Sequence, residues 1–331
     1  MQQARAPPLH PRKRLYNLLE EIADSTIQRV EIRYQGLDDD EALELAAALV
    51  QNESLLELEL DLTSSTISTT GMTQIVKSLP SCLQNVSLSS NPISPTAASA
   101  FLLSPNLPEL HLNDCQLKCE GLAALMTTSA FQTNNTTTGS SSSSLKVLTL
   151  SKNQLSSCPS FGALQNLERL DLSCNRLTSL QELQLHTLPS LQRLQLWNNR
   201  LGPTCGVALG EILLHCRALQ ELNLRNNELE NVGIIQAFSL LENECNLETL
   251  FLSSNLLSDP AVVQHIAAAS SASLMMTSSM IKFPHLKSLY LTYNNIGDDG
   301  TVALAHVLYL IFQISRLFDL YRNNILEIRV V

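Results

Sequence analysis

The chain has 331 residues, 44% hydrophobic and 16% charged, with a net charge of −10 and a pI of about 5.2. That charge speaks against nucleic acid, whose phosphates need a basic footprint. It also favours a protein partner of basic or mixed charge. No window approaches the ~18 uninterrupted apolar residues of a membrane-spanning helix; the nearest run is Val307 to Phe312.

In chain order, Met1 to Pro8 has no apolar core and does not read as a secretory signal. Residues 1–13 are expected to be a disordered basic tail. Pro11-Arg12-Lys13-Arg14 reads either as a nuclear signal or, more simply, as a solvated run. The eight cysteines are scattered singly with no CxxC pair. Without a leader they read as reduced thiols, which places the chain in the cytoplasm, with the nucleus as second choice. Leu15, Leu18, Leu19 and Ile22 make one apolar stripe, so residues 14–26 are expected to be an N-terminal cap helix.

From residue 27 to 325 the pattern L-x-x-L-x-L-x-x-N-x-L, with other apolar residues allowed for Leu, occurs eleven times. The copies begin at Ile27, Leu55, Leu83, Leu107, Leu145, Leu167, Leu191, Leu219, Leu247, Leu286 and, degenerately, Ser315. L-x-L puts two apolar side chains on one face of a short strand. The asparagine falls where the chain turns inward and its amide can satisfy backbone groups that would otherwise be buried unpaired. Asn91, Asn153, Asn175, Asn199, Asn227, Asn255, Asn294 and Asn323 occupy that place and form a structural ladder; Cys115 stands there in the fourth copy, Gln35 and Thr63 in the first two.

Each strand is followed by a helical stretch, as in the Ala42, Leu45, Ala46, Leu49 stripe. Gly71, Gly121, Gly233 and Gly300 recur four residues after the last apolar position, which suggests a tight turn at the helix start. Start-to-start spacings range from 22 to 39, with 28 the commonest. Copies of 22 to 24 are too short for a full helix, so the middle should be less regular and less curved. The two long spacings hold insertions near 127–144, rich in Ser and Thr and read as disordered, and near 269–282, with Met275, Met276 and Met280.

The 28-residue copies, with Asn295-Ile296-Gly297-Asp298-Asp299-Gly300 leading into Ala303-Leu304-Ala305, resemble the ribonuclease-inhibitor class of leucine-rich repeats. The resemblance spans about residues 27–325. It implies an α/β solenoid, a horseshoe of about eleven repeats with a parallel sheet on the concave side and helices on the convex side. Residues 14–331 are then one domain. The class includes Ran GTPase-activating proteins and the sensing ends of NOD-like receptors, so a GTPase activator is the rival reading; the long acidic tail usual in that family is missing, and no position matches a family-specific functional residue. After the last motif only Ile328-Arg329-Val330-Val331 and a few residues remain. Solenoids need caps, so that end is expected to be covered by a partner, truncated, or frayed.

The chain carries no G-x-x-x-x-G-K-[ST], H-E-x-x-H or G-x-S-x-G signature. No enzyme activity, cofactor or metal is expected. His111, Cys115 and Cys119 are evenly spaced, but Cys115 takes the inward ladder place while His111 faces outward. The x positions of the motif line the open side of the sheet and form a ready surface. In the second and fourth copies they give the acidic Glu57, Glu59, Asp61, Glu109 and Asp114. In the seventh to eleventh they give Trp197, Phe251, Tyr290, Tyr293 and Tyr321, with Arg193, Arg225 and Arg322 among them. Aromatic and Arg residues are the usual interface anchors. The expectation is a protein-binding scaffold with Trp197, Arg225, Phe251, Tyr290, Tyr293, Tyr321, Glu57, Glu59, Asp61 and Glu109 in its binding face. The plainer alternative is aromatics stacking on one another along the sheet.

Overall fold

In the computed structural model the described residues are 11–25, 27–33, 37–62, 66–101, 106–128, 131, 143–241, 245–258, 285–297 and 318–319. Gln35, Thr63, Gly300, Tyr321, Arg322, Asn323, residues 1–10, the insertion near 269–282 and most of that near 127–144 lie outside them.

The alternation of apolar residues in each motif produces one short strand per copy. They are β1 (Arg29–Arg33), β2 (Glu57–Asp61), β3 (Asn85–Ser87), β4 (Glu109–His111), β5 (Val147–Thr149), β6 (Arg169–Asp171), β7 (Arg193–Gln195), β8 (Glu221–Asn223), β9 (Thr249–Phe251), β10 (Ser288–Tyr290) and β11 (Phe318–Asp319). They form one sheet in strictly sequential order, every pair parallel. The chain is a leucine-rich-repeat solenoid. Leucines of the motif face inward: Leu219, Leu222, Leu224 and Leu229 of the eighth copy are all buried, each contributing about 2 kcal/mol of transfer free energy.

The convex side follows copy length. The first, second, seventh and eighth copies carry α2 (Asp39–Gln51), α3 (Thr69–Lys77), α6 (Gly206–His215) and α7 (Glu230–Ser239); α5 (Lys118–Met126) belongs to the long fourth copy. The 24-residue third copy has room only for α4 (Pro95–Ser99), the fifth has no helix, and the sixth has two 3-10 turns, Gln181–Leu183 and Leu185–Thr187. Fully buried Phe161 fills the core where the helix is missing. Helix starts are locally encoded: Asp38 accepts from the Glu41 N–H at 3.0 Å while the Glu41 carboxylate accepts from the Asp38 N–H at 3.3 Å, a reciprocal capping box.

The leading helix, α1, runs Pro11–Ala23 rather than 14–26. Proline suits the first helical position, where its missing N–H is not needed, and the left-handed Ser25 (φ 52°) ends the helix early. Leu19 and Ile22 are buried against the first copy, and Asn52 Nδ2 ties the helix down by donating to the Ile22 carbonyl at 2.6 Å.

Among the described residues, the recurring glycines do not mark turns. Gly71, Gly121 and Gly233 lie inside the first turns of α3, α5 and α7, and none has a positive φ. What Gly71 and Gly233 supply is closeness between copies: a Cβ at Gly71 would stand 2.5 Å from Asp39 Oδ1, and one at Gly233 would stand 3.0 Å from Pro203 Cα.

The ladder ties successive copies together. Asn175 Nδ2 donates to the Leu150 and Leu172 carbonyls, both at 2.9 Å, and its Oδ1 accepts from the Asn153 and Leu155 N–H groups at 2.9 and 3.0 Å. Asn294 repeats this with the Leu252 and Leu291 carbonyls and the Asn255 and Leu257 amides. At the fourth rung the Cys115 thiol donates to the Leu88 carbonyl at 3.2 Å, standing in for the amide N–H; burial pushes its pKa up to about 12. Asn227 is the exception. Its Nδ2 donates to the Leu196 and Leu224 carbonyls, but its buried Oδ1 has no partner among the described residues.

Candidate functional site

Strand register arranges the outward side chains in columns across the concave face. One column runs Glu31, Glu59, Ser87, His111, Thr149, Asp171, Gln195, Asn223, Phe251, Tyr290; a parallel one runs Arg29, Glu57, Asn85, Glu109, Val147, Arg169, Arg193, Glu221, Thr249, Ser288.

At the C-terminal end Phe251 and Tyr290 are stacked, ring centroids 4.4 Å apart and planes 7° from parallel. Cross-strand stacking buries one face of each ring, which is why both are half-buried rather than open. Trp197 is also half-buried, and Arg225 is exposed. Tyr293 is 47% exposed. Its backbone is the one its place in the repeat imposes: the residue before each ladder position is left-handed from the third copy to the tenth, as Ser90, Asp114, Lys152, Cys174, Asn198, Asn226, Ser254 and Tyr293. Asn and Asp tolerate that conformation, whereas a bulky side chain there costs about 1–2 kcal/mol. The repeat turn thus imposes this conformation at every copy from the third to the tenth, whichever residue fills it. Tyr321 lies outside the described residues.

The acidic end is partly self-satisfied. Arg29 Nε lies 3.4 Å from Glu57 Oε2, and Glu109 accepts from Asn85 Nδ2 at 3.0 Å, with His111 Nε2 3.7 Å away. Glu59 and Asp61 are half-buried and Asp114 is exposed. Arg29, Glu57, Glu59, Asn85, Ser87 and His111 line an open depression of about 270 Å³. Sequence spacing locates these acids but carries no signal of the cross-strand partners that neutralise some of them.

The even spacing of His111, Cys115 and Cys119 does not gather them. His111 Nδ1 meets Thr149 Oγ1 at 3.1 Å on the concave face, Cys115 is buried, and Cys119 sits at the start of α5. No group of three His, Cys, Asp or Glu among the described residues is placed to hold a metal. What the spacing of Cys119 did not reveal is its acidity. Partial burial raises its pKa, but hydrogen bonding with the Ser156 hydroxyl at 3.4 Å and the Ser157 hydroxyl at 3.6 Å, together with their backbone amides, outweighs this and lowers it to about 7. Burial pushes Cys158 and Cys216 up to about 12. Iodoacetamide at neutral pH is therefore expected to label Cys119 first, with a rate rising through pH 7 as the thiolate forms. Peptide mapping that finds Cys158 or Cys216 labelled as fast in the native protein would contradict this.

A parallel sheet whose rungs are buried asparagines, with a helix or turn opposite each strand, defines a leucine-rich-repeat protein. Models of the leucine-rich repeat match residues 103–126, 215–235 and 284–305, and a two-copy model matches 143–185. The chain is 34% identical over 172 residues to mouse Podocan-like protein 1 and 30% over 232 residues to the human protein, covering 52% and 70% of this chain but 28% and 38% of theirs. It is 30% identical to human NACHT, LRR and PYD domains-containing protein 12 over 307 residues, 88% of this chain and 26% of that one. The chain thus spans 26% to 38% of the length of these relatives. Among solved structures, Leptospira interrogans LRR protein LIC12759 matches with a TM-score of 0.55 at 20% identity, covering 92% of this chain and 69% of that one. This likeness shows the fold. No helix among the described residues is long and apolar enough to cross a membrane.

Proposed function

We propose that the chain is a protein-binding scaffold that works through the concave face of its sheet. The observation that carries this is the Phe251–Tyr290 stack, with Tyr293 exposed on the same copy as Tyr290 and Trp197 three strands away on the same face. Two rigid rings already held in place lose little side-chain entropy when a partner covers them. The 28-residue copies with their full helices support the ribonuclease-inhibitor-like class. All eight cysteines are free thiols, which supports a reducing compartment, the cytoplasm.

Oxidative footprinting of the chain with a captured partner tests the reading. Tyr290, Tyr293 and Trp197 should become protected, whereas Tyr16, 48% exposed on α1, should not. Protection confined to α6 and α7 would move the site to the convex side.

A second expectation concerns association. Glu59 and Asp61 attract a basic region of the partner, so Glu59→Lys with Asp61→Lys should slow association, and added salt should do the same once the screening length falls below ~8 Å. Stopped-flow rates that ignore both salt and the reversal would remove electrostatic steering.

A further inference from the structure

We propose that Arg169, Arg193 and Arg225 form a clamp for acidic side chains on an extended segment of the partner protein; this deepens the concave-face reading and rests on it. The register sets Arg169 directly beside Arg193 on neighbouring strands, about 4.8 Å apart. Like charges so placed repel, and both side chains are exposed. The carboxylate that answers them is shared out already. Glu221 Oε2 lies 3.9 Å from Arg193 Nε, and Glu221 Oε1 accepts from Gln195 Nε2 at 2.6 Å. On its other side Arg169 meets Val147. Asp171, the acid two residues along the same face, uses Oδ1 to accept from the Ser173 N–H at 2.8 Å. Among the described residues Arg169 and Arg225 make no ion pair.

Two neighbouring guanidinium groups offer one carboxylate several charge-assisted donors, the strong kind of polar contact. Arg225 stands on the turn after β8, one strand beyond Arg193 and four motif positions further along the strand direction, in the same motif position as Trp197 of the copy before. At ~3.3 Å per residue that is about 13 Å, so an acid over Arg169 and Arg193 and a second acid four residues on, in an extended segment running with the strands, meet all three arginines. The chain's own net charge of −10 opposes long polyanions. It leaves a short acidic segment of a protein, held by close contacts, as the chemistry that fits.

Trp197 is the chain's single tryptophan and reports on this region without a label. The full chain is titrated at low ionic strength with a short threonine-rich peptide bearing two glutamates four positions apart, and with matched peptides bearing glutamines or lysines there. The glutamate peptide should change Trp197 fluorescence saturably and bind at least about tenfold more tightly than the others. Arg169→Gln with Arg193→Gln should weaken it by a similar factor with an unchanged circular dichroism spectrum, and Arg225→Gln separately by less. Absence of a saturable signal, equal binding of all three peptides, or full affinity in the arginine variants overturns the clamp. If the clamp fails while a captured partner still protects Tyr290 and Tyr293 from footprinting, the concave-face reading stands; loss of that protection removes both.

Discussion

Trp197→Ala combined with Tyr290→Ala is expected to weaken partner binding by ~2 kcal/mol or more, about thirtyfold, while leaving the chain folded. Aromatic anchors dominate such interfaces because a large apolar area is desolvated by a side chain with few rotatable bonds. Trp197 and Tyr290 occupy different columns three strands apart, which is about 14 Å, the width of a helix or a loop. Truncating Tyr290 also removes its stack on Phe251, so folding should lose about 1 kcal/mol. That loss is small against the binding effect and can be read independently by urea denaturation. Gln236→Ala, on the convex side in α7, is the control and should leave affinity unchanged. A double variant that binds as tightly as wild type would shift the site to the acidic N-terminal half.

Asn255→Ala is expected to cost on the order of 1–3 kcal/mol of stability, because the change strands buried backbone groups rather than merely deleting a contact. Asn255 Oδ1 accepts from the Asn227 and Leu229 amides at 3.2 and 3.3 Å, and its Nδ2 donates to the Leu224 and Ser253 carbonyls at 2.8 and 3.2 Å. Asn227→Ala should cost less, since its Oδ1 accepts nothing among the described residues. Denaturation midpoints in urea compare the two directly. An Asn227 variant that is the less stable of the pair would mean that the ladder's energy does not follow its hydrogen bonds.

The strands and the asparagine rungs were legible in the sequence because both depend on spacing within one copy: alternate leucines face one way, and a fixed offset places the amide. Copy length likewise announced the missing helix after β5. What depended on contacts between copies was harder to read. The role of Gly71 and Gly233 is a clearance to residues about thirty positions earlier, which no local pattern encodes. Arg29 neutralises Glu57 and Asn85 engages Glu109 across strands, so the acidic patch is weaker than its composition suggests. The adjacency of Phe251 and Tyr290 could be read from register, but the left-handed place that Tyr293 occupies could not, because Ser, Asp, Lys, Cys and Asn fill it elsewhere. The lowered pKa of Cys119 could not be read from spacing, because its partners, Ser156 and Ser157, belong to the next copy.

The strictly sequential strand order has a kinetic consequence. Since each strand pairs only with its neighbours in the chain, every contact in the sheet closes a loop of a single copy, and folding can begin at any well-formed copy and spread outward. The best-built seeds are α2 with α3 near one end and α6 with α7 towards the other, where Gly206 lets the helices approach so closely that a Cβ would stand 2.5 Å from the Gly233 carbonyl oxygen. Between them lies the thin stretch around β5 to β7, with turns in place of helices. Two fronts growing from those seeds would meet there, and that stretch is expected to order last.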